Sequence, residues 1–218
     1  SRFILRKTRK LTPGLPMVHL GNFVDVEQYR PMPDESEERV VYVGRLTPEK
    51  GVMTLLKAAR KLDCEISIVG TGPREESLRG WAQRAGADNV HFAGYREGQE
   101  LRDLVARARC VVVPSEWYEN NPLVVLEAFA MGKPVVGARI GGIPELVTDE
   151  RGCTFTPGDA DELRRAIRGL VRNPQRAAEA GRAGRRYVEE HHSSGVHYDR
   201  LVHIYEQATA RPLFDRLS

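Results

Sequence analysis

The sequence predicts an α/β fold: a doubly wound, six-stranded parallel Rossmann-like sheet followed by carboxyl-terminal helices. Three observations carry this expectation. Short β-branched runs with little polar alternation recur between residues 40 and 155, as strands covered on both faces require. Helix-period segments separate them at a repeat of roughly 25 residues, the pattern of right-handed βαβ units. The chain's 218 residues, 41% hydrophobic and 29% charged, hold enough apolar material for one sizeable core and too much for a disordered chain.

In chain order, strands are expected at 40–43, 66–69, 90–93, 110–113, 135–138 and, more weakly, 153–155. The first connecting helix aligns Val52, Leu55, Leu56, Ala59 and Leu62 on one stripe, and the second aligns Leu78, Trp81, Ala82 and Ala85. A third carries Leu101, Leu104, Val105 and Ala108. After the last strand, Leu163, Ala166, Ile167, Leu170 and Val171 form another stripe. A further helix follows Pro174, and Leu201, Val202 and Tyr205 mark one more. The acidic, Pro-containing stretch 31–38 reads as a surface connector. The chain thus divides into an interdomain segment and connector (1–38), a Rossmann-like core (39–158) and helices of the same domain (159–218).

Composition excludes several classes. No apolar run exceeds four residues, so no helix is expected to span a bilayer. Thirty-three basic against thirty acidic residues give a net charge of +3, too small for a committed nucleic-acid binder. The basic start (Arg2, Arg6, Lys7, Arg9, Lys10) lacks the apolar core of a secretory signal and reads as a solvated helix face, with contact to phosphate or a membrane surface as the alternative. Cys64, Cys110 and Cys153 are odd in number and lack C-x-x-C spacing, which fits free thiols in a reducing, cytoplasmic compartment.

In a sheet of order 3-2-1-4-5-6 ligands bind above the carboxyl ends of strands one and four. The loops to inspect are therefore 44–50 and 114–121. Familiar nucleotide signatures are absent there. No G-x-G-x-x-G follows strand one, Gly70-Thr71-Gly72 lacks the third glycine, and Gly132-Lys133 lacks the upstream glycine of a P-loop. Asp159-x-Asp161 opens a helical stripe and reads as a cap rather than a metal site; His191 and His192, without partners at ligand spacing, read as solvated helix-end residues.

Arg45 and Lys50 share one strand-to-helix turn and could clamp a diphosphate, or be two exposed bases. Pro122 suits the first position of a helix capped by Asn121, whose N-terminus would face the crevice and favour phosphate. Glu127 is a lone acid in an almost wholly apolar helix, about 7 Å from its start. It either accepts hydrogen bonds from a ribose diol or forms a structural pair with a backbone N–H or an Arg. With Glu119 it makes Glu-x7-Glu, matching a ligand whose two sugars are joined by a diphosphate. Gly141-Gly142 permits close backbone approach beside them.

Five stretches in order, VYVGRLTPEKG (41–51), SIVGTGP (67–73), HFAGY (91–95), PSEWYENNPLVVLEAFAMGKPVV (114–136) and GGIPELV (141–147), resemble the carboxyl-terminal domain of retaining GT-B glycosyltransferases of the family 4 type, the glycosyl transferases group 1. Residues 21–25 resemble the Asn-Gly-Val-Asp stretch that joins the two domains in that family.

The resemblance implies roles. Arg45, Lys50 and Glu119 would be catalytic, the bases holding the donor diphosphate and Glu119 the donor sugar's hydroxyls. Glu127 would hold the ribose, and Tyr95 and Arg96 would meet the base. Asn121, Pro122 and Leu123 would lie along sugar and phosphate, with Gly44, Gly70 and Gly72 completing the donor site. The donor would be a nucleoside diphosphate sugar of UDP or GDP type, with no metal or other cofactor. The turn Asn120-Asn121-Pro122 replaces the family's glycine-containing turn, so donor-sugar identity does not transfer. The amino-terminal acceptor domain is missing from these residues, and the chain begins at Ser1, so a fragment of a longer enzyme is expected, with peripheral membrane contact of the full enzyme as an option. Rival readings are a non-catalytic nucleotide-sugar-binding module and a sugar-nucleotide epimerase of the same build; an acceptor domain or partner separates the first, and a requirement for free acceptor the second.

Overall fold

Apolar β-branched runs bury best between two helical layers, and the computed structural model, which describes residues 1–32 and 36–209, has that arrangement. The strands are β1 (Arg39–Val43), β2 (Glu65–Val69), β3 (Val90–Gly94), β4 (Cys110–Val113), β5 (Val135–Ala138) and β6 (Gly152–Phe155). They form one parallel sheet in the order β3-β2-β1-β4-β5-β6, as the repeat predicts. The order reverses where β1 meets β4, with Val40 opposite Cys110 and Val41 opposite Val111.

The helices are α1 (Arg2–Leu11), α2 (Val52–Ala59), α3 (Glu75–Arg84), α4 (Gly98–Ala106), α5 (Leu123–Ala130), α6 (Ile143–Leu146), α7 (Ala160–Val171), α8 (Pro174–His191) and α9 (Ser194–Thr209). Right-handed crossovers put α2 and α5 on opposite faces. The carboxyl-terminal helices return to cover both, α7 packing on α2 and α8 on α5. Phe129, Leu126, Leu55, Leu56, Ile66, Ile68 and Phe155 are fully buried between these layers. Short α6, which has no stripe long enough to read, is not expected from the sequence.

Asp159 caps α7 by accepting from the amides of Asp161 and Glu162, so the D-x-D is a helix start, as expected. Asn173 caps α8 in the same way. His192 corrects its expectation. It is buried, donates from Nδ1 to the Asn22 carbonyl (2.8 Å) and accepts at Nε2 from the Tyr187 hydroxyl (3.3 Å). Its tautomer follows from the carbonyl partner, and burial lowers its pKa.

The amino-terminal segment is tied to this end of the molecule: the Val24 amide donates to the His192 carbonyl and Val24 is buried. Helix α1 buries no residue, but it is not a purely solvated face. Phe3 stacks on Tyr118 at 4.9 Å and the Lys7 ammonium lies 3.9 Å over the same ring. Within the connector expected at 31–38, residues 33–35 lie outside the described residues, and Glu37 pairs with Arg39 and Arg107. Among the described residues no helix is long and apolar enough to cross a membrane.

Candidate functional site

The carboxyl ends of β1 and β4 stand side by side, and the loops leaving them are joined into one structure. The first loop is shaped from below: the Tyr42 hydroxyl donates to the Arg45 carbonyl at 2.8 Å. Burial, with Glu119 and Glu49 nearby, pushes that phenol's pKa well up, so it remains a donor. Leu46 is fully buried and plugs the loop into the core. Gly51, at φ 66°, lets α2 start against β4; a Cβ there would lie 1.9 Å from the Pro114 carbonyl oxygen.

Three contacts then cross to the second loop, two from the first loop and one from the start of α2. The Glu116 amide donates to the Glu49 carbonyl at 2.8 Å. Thr54 Oγ1 donates to Glu116 Oε1 at 2.6 Å. Lys50 Nζ meets Glu119 Oε1 at 2.6 Å, and Ser115 Oγ, almost fully buried, donates to the same oxygen at 2.8 Å. Glu119 thus has a fixed Oε1, with Oε2 outside these bonds. The third loop closes behind it, the Gly142 amide donating to the Glu119 carbonyl at 2.7 Å. Arg45 stands exposed at the mouth.

Gly44, Gly70 and Gly72 hold loop to loop. The Gly44 and Gly70 amides donate to the Val69 and Gly94 carbonyls. A Cβ on Gly70 would sit 2.0 Å from the Gly44 carbonyl oxygen, and one on Gly72 would sit 2.6 Å from the Leu46 backbone. What the missing side chains serve in this structure is that approach, since the amides of Gly44 and Gly70 are already engaged.

Asn121 and Pro122 depart from their expected geometry. Helix α5 starts one residue later, with Pro122 at the cap position and no side-chain cap. The Asn121 side chain turns the other way: Oδ1 accepts from the Asn22 amide (2.9 Å), while Asn22 Nδ2 donates to the Asn121 carbonyl (2.7 Å). Two bonds donated by Asn22 outcompete one cap bond. Leu123, first in the helix, is half exposed, and the uncapped turn faces the crevice.

Glu127 lies one turn further in, half-buried. Its partner is neither a backbone N–H nor an Arg but the Tyr29 hydroxyl, which donates to Oε1 at 3.2 Å. Burial raises the carboxyl's pKa and the Tyr29 bond pulls it partly back. Tyr95 and Arg96 occupy the exposed β3–α4 loop, where the Tyr95 hydroxyl donates to Glu97 and Arg96 donates to the Tyr95 carbonyl. Lys50 and Glu119 are thus brought into contact, whereas no bond links them to Glu127, Tyr95 or Arg96. Sequence reasoning missed the roles of Ser115 and Tyr29. Ser115 lies inside the inspected loop; Tyr29, 98 residues from Glu127, carries no local signal.

The space around these residues is an open crevice. A cavity of about 190 Å³ lies beside it, lined by Thr47, Pro48, Arg74 and Glu116. A larger one of about 420 Å³ opens at the amino ends of β4 and β5, at the opposite end of the strands. Among the described residues no cluster of three His, Cys, Asp or Glu could hold a metal ion.

The profile of the glycosyl transferases group 1 family matches residues 27–187, most of the chain and all three loops. The chain belongs to this family. As a group 1 chain it is 31% identical to a GDP-mannose-dependent monoacylated α-(1-6)-phosphatidylinositol monomannoside mannosyltransferase of Corynebacterium glutamicum, over 94% of this chain and 60% of that protein. It is 34% identical to a GDP-mannose-dependent α-(1-6)-phosphatidylinositol monomannoside mannosyltransferase of Mycolicibacterium smegmatis, over 85% and 56%. Sucrose-phosphate synthase of Thermosynechococcus elongatus superposes with a TM-score of 0.87 at 27% identity, covering 96% of this chain and 57% of that one. The chain therefore spans little more than half the length of these relatives, and the resemblance to a GT-B carboxyl-terminal domain is borne out.

Proposed function

We propose that this chain is the donor-binding half of a retaining, metal-independent glycosyltransferase that uses a nucleoside diphosphate sugar. The observation that carries the reading is the Lys50–Glu119 contact across the β1/β4 crevice, with Arg45 at its mouth. Two relatives are named as GDP-mannose-dependent, which makes GDP the first nucleotide to test and UDP the second.

An arriving diphosphate takes Lys50 from Glu119, because two negative phosphates attract an ammonium more strongly than one carboxylate does. Glu119, still held by Ser115, is then free to accept from the donor sugar's hydroxyls. Lys50, Arg45 and the uncapped turn of α5 face the phosphates, where negative charge grows as the sugar leaves; groups fixed in advance stabilise that charge without reorganising. Glu127 accepts from the ribose, and the Tyr95–Arg96 loop meets the base. With Asp159 occupied as a cap, the D-x-D has no part in this chemistry.

The opposite wall and the acceptor site belong to a further domain, matching the half of its relatives that this chain does not span. The three free thiols support a reducing, cytoplasmic setting, and basic, exposed α1 supports peripheral contact with a membrane. Calorimetric titration with GDP, UDP and ADP, and with the matching nucleosides, tests the reading. A diphosphate should bind, and Lys50→Ala should weaken it while leaving the nucleoside nearly unchanged. Equal losses for both would refute the assignment.

A further inference from the structure

We propose that Tyr29 is the positioning residue for Glu127, holding the acid where it accepts from a nucleotide's ribose hydroxyls. The proposal deepens the functional reading above and rests on the ribose role given there to Glu127.

The phenol is delivered by a built turn. Asp25 Oδ1 accepts from the amides of Glu27 and Gln28, and the Tyr29 amide donates to the Asp25 carbonyl at 3.0 Å. From α8, Arg185 Nη1 donates to the carbonyls of Val26 (3.0 Å), Tyr29 (2.7 Å) and Ala130 (2.6 Å). One guanidinium therefore staples the turn to the end of α5, the helix that carries Glu127. The Tyr29 ring enters the cleft between α4 and α5, beside Leu101, Arg102 and Val124. Only about 10 Å³ remains there, about what a single water needs, so the ring and its neighbours leave Glu127 little room to swing into the cleft.

The hydroxyl adds what a phenylalanine ring could not. A glutamate on a helix has three free torsions, and burial disfavours its charged form. An ionised carboxylate offers about four acceptor positions. Tyr29 takes one on Oε1, which restricts the group and favours ionisation. Oε2 lies outside that bond. A diol needs an acceptor that is both charged and oriented, and this side chain, 98 residues distant in sequence, supplies both conditions.

The test titrates the full chain, its Tyr29→Phe variant and its Glu127→Gln variant with GDP and UDP and with their 2′,3′-dideoxy forms, alongside thermal melts. The wild type should prefer the ribose form about tenfold or more, as bonds to a charged group allow. Glu127→Gln should abolish most of that preference. Tyr29→Phe should lower ribonucleotide affinity about three- to tenfold, with dideoxy affinity and melting temperature nearly unchanged. An unaltered preference in Tyr29→Phe, when Glu127→Gln has lost it, overturns the inference alone. A preference that survives Glu127→Gln overturns the ribose reading instead, as does a wild type that binds neither diphosphate. Tyr29→Leu guards against a packing explanation: if it changes the preference and Tyr29→Phe does not, the ring matters rather than the hydroxyl, and the proposal fails.

Discussion

Lys50 and Glu119 meet at 2.6 Å, one on the loop after β1 and the other on the loop after β4, sharing Glu119 Oε1 with the buried Ser115 hydroxyl. The pair closes the two sides of the crevice on each other, so any anion that draws Lys50 away also releases Glu119. Removing either partner should therefore affect different parts of one ligand. Lys50→Ala should weaken diphosphate binding about tenfold or more, the scale of one charge-assisted bond. Glu119→Gln should leave the diphosphate bound as well as before, or better, but cancel any extra affinity contributed by the donor sugar. Calorimetry with the diphosphate and the intact sugar nucleotide measures both. Loss of diphosphate affinity in Glu119→Gln would contradict this division.

Glu127 has a pKa raised in the folded state by burial, only partly offset by Tyr29. The folded chain therefore holds this proton more tightly than the unfolded chain. The contribution to stability is full below the ordinary glutamate pKa and is lost as pH rises through the raised one. Glu127→Gln removes that dependence. The melting temperature of the variant relative to the wild type should climb between pH 4 and pH 7, and a constant difference would count against the buried-acid geometry.

His192 works in the opposite sense. Its folded pKa is lowered, chiefly by burial, so its neutral form stabilises the fold above the unfolded value, and that stability is lost as pH falls through the lowered one. Below pH about 6.5 the wild type should lose stability faster than His192→Gln, since protonation charges a buried ring and ends the bond that Nε2 accepts from Tyr187, while Nδ1 still donates to Asn22. Chemical denaturation at pH 7.5 and 5.5 measures the difference.

Arg185 donates to three carbonyls with one nitrogen and to Glu189 with another. Arg185→Ala leaves partly buried carbonyls unpaired and frees the turn that carries Tyr29. We expect a loss of about 2 kcal/mol or more in urea unfolding. Because the same turn orients Glu127, the preference for ribonucleotides should fall with it.

The chain alone should bind donor and transfer almost no sugar. Transfer needs the acceptor hydroxyl held against the donor carbon with bulk water excluded, and such positioning can be worth roughly 7 kcal/mol or more. Among the described residues the crevice has walls on one side only. Incubation of the chain with GDP-mannose or UDP-glucose and simple acceptors, with and without the acceptor domain proposed above, checks this. EDTA should leave donor binding intact. Rapid turnover by the chain alone, or metal-dependent binding, would each contradict the proposal.

The strand order, and with it the β1/β4 junction and the loops that leave it, is legible in the sequence. Those features follow from short-range patterns: apolar runs at βαβ spacing, Asp159 ahead of a helical stripe, and an acid isolated in the apolar helix at Glu127. Such patterns report what each segment buries, and burial at this scale decides secondary structure and topology. Only the tertiary structure decided which partner each polar group took. Asn121 could have capped α5, and its alternative, Asn22, lies 99 residues away. His192 looked like a solvated helix end until Asn22 and Tyr187 closed over it. Glu127 had an amide or an Arg open to it in the sequence, and took Tyr29. Hydrogen bonds between segments distant in the chain are individually small and chosen by geometry, so they leave no periodic trace in the sequence and are settled only when the layers have packed.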